Sequence, residues 1–367
     1  MFQDGTYFEG IGFGATKKVM GEITFSTVPG SGYVEVLTDC TYKDQIVLFT
    51  YPSIGNYGVP AKIQDEFGIV KQFESDSIKL KGMIVNEYCK LPSHYESVRT
   101  LEDWLVEEGM PAIQWIDTRR ITQQLVEEGS KLGVLQVLEK GETPDIEKLK
   151  EEVQQVEDPT NKDFVNLVSV KDVKKYTPTN PIGTVVVLDI GLKNNILRTL
   201  LSKNIEVIVV PYTSNYEKIK SFNPSGVLIT NGPGNPTLLT ETINTAKILM
   251  ENSVPTMGIG LGNVIIGLAA GASAYKMTAE HRGGRTTVES ATGHCYITFQ
   301  NHSYCITDVE KNGFKQLYHD KDDETNEGLI HENKPIFSVA FNPEASPGAL
   351  DTKDMIFNKF IELMEVK

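Results

Sequence analysis

Between Pro255 and Gly271 the sequence PTMGIGLGNVIIGLAAG passes from an apolar run through a glycine-flanked tight turn into a segment of helical character. Few folds accommodate that succession. It has the form of a nucleophile elbow, in which a strand turns sharply into a helix and the apex residue is held in a strained conformation with its side chain above the sheet. The apex here is Gly260. Elbow chemistry needs a thiol or hydroxyl activated by a neighbouring base, yet Gly258 to Val264 contains no Cys, Ser or Thr. The sequence predicts the scaffold of an acyl-transfer site without its reagent.

The segments around the elbow predict the sheet that carries it. Thr184–Asp189, Ile205–Val210, Gly226–Thr230 and Val254–Ile259 are short β-branched runs separated by helical stretches. Runs apolar on both faces suit parallel strands covered by helices on each side, a doubly wound α/β pattern. In such sheets ligands bind beyond the carboxyl ends of the strands. The loop Asn231 to Pro236, NGPGNP, leaves one such end, and the elbow leaves the next. Glycines there let backbone N–H groups approach an oxyanion closely. After Ala274 the pattern returns to β, with Cys295–Gln300 and Tyr304–Val309 expected as strands on either side of Asn301, His302 and Ser303. The chain then passes through Pro335–Phe341 to Asn342, Pro343 and Glu344, and closes with a helix over Thr352–Met364.

Residues 1–150 read as a separate, mainly β and then α domain. Tyr7–Phe13, Gly21–Thr27, Gly32–Leu37 and Gln45–Tyr51 are expected strands, bounded by Gly, Pro, Asp and Asn. Ser97–Glu108 places Val98, Leu101, Leu105 and Val106 at helical spacing, and Ile121–Glu128 repeats the pattern. Between them Asp117 is placed to cap the second helix, and Arg119 to pair with a carboxylate. Residues 151–182, rich in charge and turn residues, are expected as a linker, and 183–367 as the doubly wound domain.

Charge and cysteine usage exclude several classes of function. Thirty-five basic against forty-nine acidic side chains give a formal charge of −14, which argues against nucleic acid as a partner. No apolar run reaches the roughly 18 to 20 residues of a membrane span. MFQDGTYFEG lacks the basic and apolar regions of a signal peptide, so the chain is expected in the cytoplasm. Cys40, Cys89, Cys295 and Cys305 show neither CxxC spacing nor a zinc-type His/Cys cluster, so they are expected to be reduced thiols, and no metal site is predicted. No Walker A sequence is present.

Taken in order, these segments resemble the small, glutamine-hydrolysing subunit of carbamoyl-phosphate synthetase over nearly the whole chain. DGTYFEG, LTDCTYKDQIV, TYPSIGNYGV and IDTRRIT look like the N-terminal domain of that family. DIGLKNNILR, ITNGPGNP, the elbow, QNHSY and NPEASPG look like its class I glutamine amidotransferase domain. The resemblance implies that a cysteine at the elbow attacks the glutamine amide with help from a histidine and a glutamate. It also implies that the ammonia passes to a large, ATP-using subunit making carbamoyl phosphate for arginine and pyrimidine synthesis.

Carried over by position, the resemblance places the nucleophile at Gly260, the base at Asn342 and the third triad member at Glu344. Only Glu344 keeps its type. An asparagine amide is neutral and cannot take the nucleophile's proton. The usual His-Gln pair of the elbow is Asn263 and Val264, and the glycine expected after QNH is Ser303. Gly232, Gly234, Leu261, Asn301 and Tyr304 fit the glutamine site, and Thr41 stands for a serine hydroxyl. The expectation is a small subunit that has lost glutaminase activity, holds no cofactor of its own, and still offers a pocket to glutamine or a small analogue. Two alternatives stand beside it: glutaminase activity through a displaced thiol, with Cys40, Cys295 and Cys305 as candidates, and a stand-alone binding protein without the large subunit.

Overall fold

A computed structural model describes residues 1–365 and separates into two compact units. The first holds residues 1–64, 70–160 and 278–280; the second holds 65–69, 161–277 and the chain from His281 onward.

The first unit is built on a six-stranded sheet in the order Ile11–Gly14, Pro111–Gln114, Gly82–Ile84, Ile46–Phe49, Lys18–Ser26, Lys131–Gln136. Its four inner strands run parallel, and an antiparallel strand closes each edge. Gly32–Leu37, expected as a strand, belongs instead to the helix Tyr33–Thr38. Tyr33, Val34, Val36 and Leu37 are all fully buried, and with Glu35 as the one charged residue among them the run carries too little period to tell helix from strand. The expected helix over Ser97–Glu108 is shorter than its pattern. Ser97–Arg99 is extended, and Thr100 caps Leu101–Glu107 by accepting from the Asp103 N–H at 3.1 Å. Leu101, Trp104 and Leu105 form the buried face, while Val98 and Val106 are exposed. Asp117 accepts from the Arg120 N–H at 3.0 Å and caps Thr118–Glu128, as its position predicts.

The second unit is a ten-stranded sheet in the order Lys174–Tyr176, Ile205–Pro211, Gly183–Asp189, Gly226–Ile229, Thr256–Ile259, Ile336–Val339, Asn326–His331, Phe314–Asp320, Ser273–Glu289, Cys295–Thr307. From Ile205–Pro211 to Ile336–Val339 the strands are parallel. Helices cover both faces, and successive residues of one strand show it. Val185 and Val187 pack with Leu197 and Phe360, from the helices Asn194–Ser202 and Lys353–Leu363. Val186 and Leu188 pack with Leu249 and Ile265, from Thr240–Glu251 and Leu261–Ala270. This is the doubly wound arrangement expected of the sequence, extended by an antiparallel half.

Two segments depart from expectation. Within 151–182, read as a linker, Val165–Val168 is helical, and Lys174–Tyr176 pairs antiparallel with Ile205–Pro211. Charged residues on an edge strand leave little apolar signal, so the pairing is invisible to periodicity. Asn301, His302 and Ser303 lie inside one continuous strand, Cys295–Thr307, rather than between two. Among the described residues no helix is long and apolar enough to cross a membrane.

Candidate active site

The strand Thr256–Ile259 enters the elbow and Leu261–Ala270 leaves it. Gly260 sits between them at φ 57° and ψ −114°, a backbone region that strains any residue bearing a Cβ. The turn is tied at three points: Gly260 N–H donates to Val339 O at 2.8 Å, Gly262 N–H to Thr230 O at 3.0 Å, and Asn263 N–H to Gly260 O at 3.0 Å. The expected elbow is therefore present, at the carboxyl end of a central parallel strand. Leu261 opens the helix, and its N–H has no intrahelical acceptor, which is the usual donor of an oxyanion hole.

A Cβ built on Gly260 would lie 2.8 Å from Asn231 Cβ, nearer than real side chains approach. Asn231 is 1% exposed, and neither atom of its carboxamide has a hydrogen-bond partner among the described residues. The neighbouring Gly232 is obligatory for contact reasons, since a Cβ would fall 1.9 Å from Ile190 O. Gly234 adopts φ 82° in the same loop, which completes the NGPGNP turn.

Asn342, at the position of the base, is buried; its N–H donates to Phe299 O at 2.9 Å, and its Nδ2 has no partner among the described residues. Glu344 is wholly buried and serves a different partner from a histidine. Lys193 Nζ, also wholly buried, lies 2.8 Å from Glu344 Oε1 and donates to Ala345 O at 3.0 Å. Asn195 Nδ2 donates to the Glu344 carbonyl. Upstream, Asp189 accepts from the N–H groups of Gly191, Leu192 and Val170 at 2.8–2.9 Å and shapes the turn that delivers Lys193. Burial pushes the Asp189 carboxyl up, against these three donors. Lys193 and Asp189 lie in DIGLKNNILR, but nothing in that segment announces which carboxylate the lysine meets.

Val264 is 2% exposed and packs in the apolar cluster with Ile265, Ile266 and Leu261, offering no polar group. Asn301 and Ser303 lie on one face of their strand, as alternation requires, and both are held by Arg282. One guanidinium nitrogen donates to Asn301 Oδ1 and another to Ser303 Oγ at 2.8 Å. Tyr304 is half-buried against the cluster beneath the elbow. Thr41 lies in the first unit, with its N–H and hydroxyl both bonded to Asp39 Oδ1 at 2.9 and 2.7 Å. Arg282 is the residue that motif reading missed, because its role depends on the register that sets it opposite Asn301.

Among the described residues no disulfide joins any of the four cysteines. Burial pushes the Cys305 thiol up to about 11, which keeps it protonated and weakly nucleophilic at neutral pH. Cys295 is exposed, and Cys40 is buried in the first unit.

Comparison with known proteins joins the two units to one kind of chain. Residues 1–135 match the family model described as carbamoyl-phosphate synthase small chain, CPSase domain, and residues 186–363 match that of glutamine amidotransferase class-I. The chain is 42% identical over 374 residues to the carbamoyl phosphate synthase small chain of Methanocaldococcus jannaschii, covering 100% of this chain and 99% of that one. The Pyrococcus furiosus small chain is 39% identical over 368 residues, with 100% and 97% covered. Mitochondrial carbamoyl-phosphate synthase (ammonia) of Homo sapiens is 39% identical over 369 residues, which is 100% of this chain and 23% of the human protein.

Proposed function

Given that the chain belongs to the carbamoyl-phosphate synthase small-chain family, we propose that it has lost glutamine hydrolysis and acts as the binding and regulatory partner of a large subunit supplied with free ammonia. The observation that carries this reading is the elbow itself. Gly260 supplies no thiol, and the place its side chain would take is filled to 2.8 Å by Asn231 Cβ. Asn342 supplies no base, and Glu344 is engaged by Lys193 rather than by an imidazole. Nucleophile and base act as a unit, and removing either from a comparable hydrolase lowers the rate on the order of 10⁶-fold. The buried thiol of Cys305 gives a displaced nucleophile little support. A relative named for ammonia, similar over the full span of this chain, is in keeping with the same reading.

In this reading ATP is used by the large subunit, and the chain holds no cofactor. Its contribution is the docking surface and whatever control a small ligand, glutamine or an analogue, exerts from the altered pocket. The test is reconstitution with the large subunit. Carbamoyl phosphate is expected from ammonium, bicarbonate and ATP, and no ammonia is expected from glutamine above background, with or without the large subunit. Sustained glutamine turnover by fresh protein overturns the proposal.

A further inference from the structure

Beside the strand that carries Asn301 and Ser303, on its other face, lies a cluster that the proposed function leaves unused. His281 and His302 are direct Cα partners across the antiparallel ladder of Ser273–Glu289 and Cys295–Thr307, so their side chains share a face. The register shifts between Lys276 and His281, a bulge of the kind that re-aims a side chain. Glu327, from the strand Asn326–His331, meets both rings: its Oε1 lies 2.9 Å from His281 Nδ1 and 3.5 Å from His302 Nε2. Donor atoms of the three residues all fall within 4.8 Å of one another. His281 and Glu327 are 0% exposed.

Each ring also reaches an acceptor outside the cluster. His281 Nε2 faces Asp323 Oδ2 at 2.8 Å, and His302 Nδ1 faces the Tyr304 carbonyl at 3.0 Å. The partners of all four ring nitrogens only accept, so a metal that takes the inner nitrogen of either ring displaces the proton it carries. Gln300 adds a further lone pair. Its Nε2 donates to Thr298 Oγ1 at 3.1 Å and Thr287 Oγ1 at 3.4 Å, which turns its Oε1 to within 2.8 Å of His302 Nε2. The second Glu327 oxygen, Oε2, is buried without a hydrogen-bond partner among the described residues. Two imidazole nitrogens, a carboxylate and an amide oxygen therefore converge on one place.

We propose that His281, His302, Glu327 and Gln300 bind one divalent first-row transition-metal ion, with Zn²⁺ as the representative. The donor set suits a borderline cation, and two carboxylates, Glu327 and Asp323, balance its charge. The ring-to-carboxylate contacts of Asp323 on His281 and of the Tyr304 carbonyl on His302 are the outer contacts that metal-binding histidines make. In a tetrahedral site with bonds of about 2.0–2.1 Å, neighbouring donors stand about 3.3 Å apart. The three contacts at 2.9, 3.5 and 2.8 Å bracket that value, and the donors of His281, His302 and Glu327 all lie within 4.8 Å of one another, so metal binding draws the donors together without rearranging the strands. Asp320, the other nearby carboxylate, is taken by Arg285 in a two-point contact at 2.6 and 2.7 Å.

The test uses the full chain after chelator treatment, titrated with Co²⁺ and then with Zn²⁺. One equivalent of Co²⁺ is expected to give the visible absorption of a four-coordinate site. Zn²⁺ should bleach that absorption and raise the unfolding temperature. Glu327→Gln and His302→Ala should lower affinity at least 100-fold. Asp323→Asn, at a partly exposed position that leaves the donors in place, should weaken binding 10- to 100-fold, as loss of an outer contact does. Absence of the spectrum and of the thermal shift overturns the proposal. So does a thiolate-to-cobalt band, which assigns the metal to a cysteine, and so does unchanged affinity in Asp323→Asn, the variant that decides the matter should His302→Ala fail to fold.

Discussion

Two separate penalties meet any side chain placed at residue 260. One is conformational: φ 57° with ψ −114° costs a Cβ-bearing residue about 1 to 3 kcal/mol. The other is steric, since that Cβ would stand 2.8 Å from Asn231 Cβ. Gly260→Cys is therefore expected to lower stability by about 2 kcal/mol, after an offset of about 0.4–1 kcal/mol for the unfolded-state freedom that glycine gives up. Urea unfolding measures the change. Adding Asn231→Gly removes the opposing Cβ, so the double variant should be more stable than the sum of the two single effects. A neutral or stabilising Gly260→Cys contradicts the elbow geometry. The same variant should release no ammonia from glutamine, because Asn342 has no basic atom to take the thiol proton; activity in it refutes the assignment of the missing base.

The turn after the strand Gly183–Asp189 and the turn after Ile336–Val339 are joined by one buried charge pair, Lys193 with Glu344. Removing one member strands the other charge in the interior, at about 3–5 kcal/mol, whereas replacing both with neutral groups is far milder. Lys193→Met is expected to be destabilising on that scale, and Lys193→Met combined with Glu344→Gln to recover a large part of the loss. Thermal or urea unfolding of the three proteins gives the coupling directly. Additive losses show that the two turns are held by other contacts. The pair holds two connections of the sheet together.

At the level of the whole molecule, residues 1–135 match the small-chain family model, and we propose residues 1–150 as the contact with a large subunit. Cross-linking of the reconstituted complex is expected to yield links from that range; links confined to residues after Gly183 count against it. The doubly wound sheet and the elbow at Gly260 were legible in the sequence, because strand runs apolar on both faces and glycine-flanked turns are local signals. The helix Tyr33–Thr38 carries no helical signal in the sequence, since Glu35 alone breaks a buried apolar run and one charged residue marks no period. The partners of the site residues were not legible at all. Lys193 and Glu344 are 151 positions apart, and His281, His302 and Glu327 span three strands; only strand order and register bring them within reach. Local chemistry determined what each segment is, whereas long-range pairing decided which buried charge meets which, because such contacts depend on chain folding between residues that share no sequence pattern.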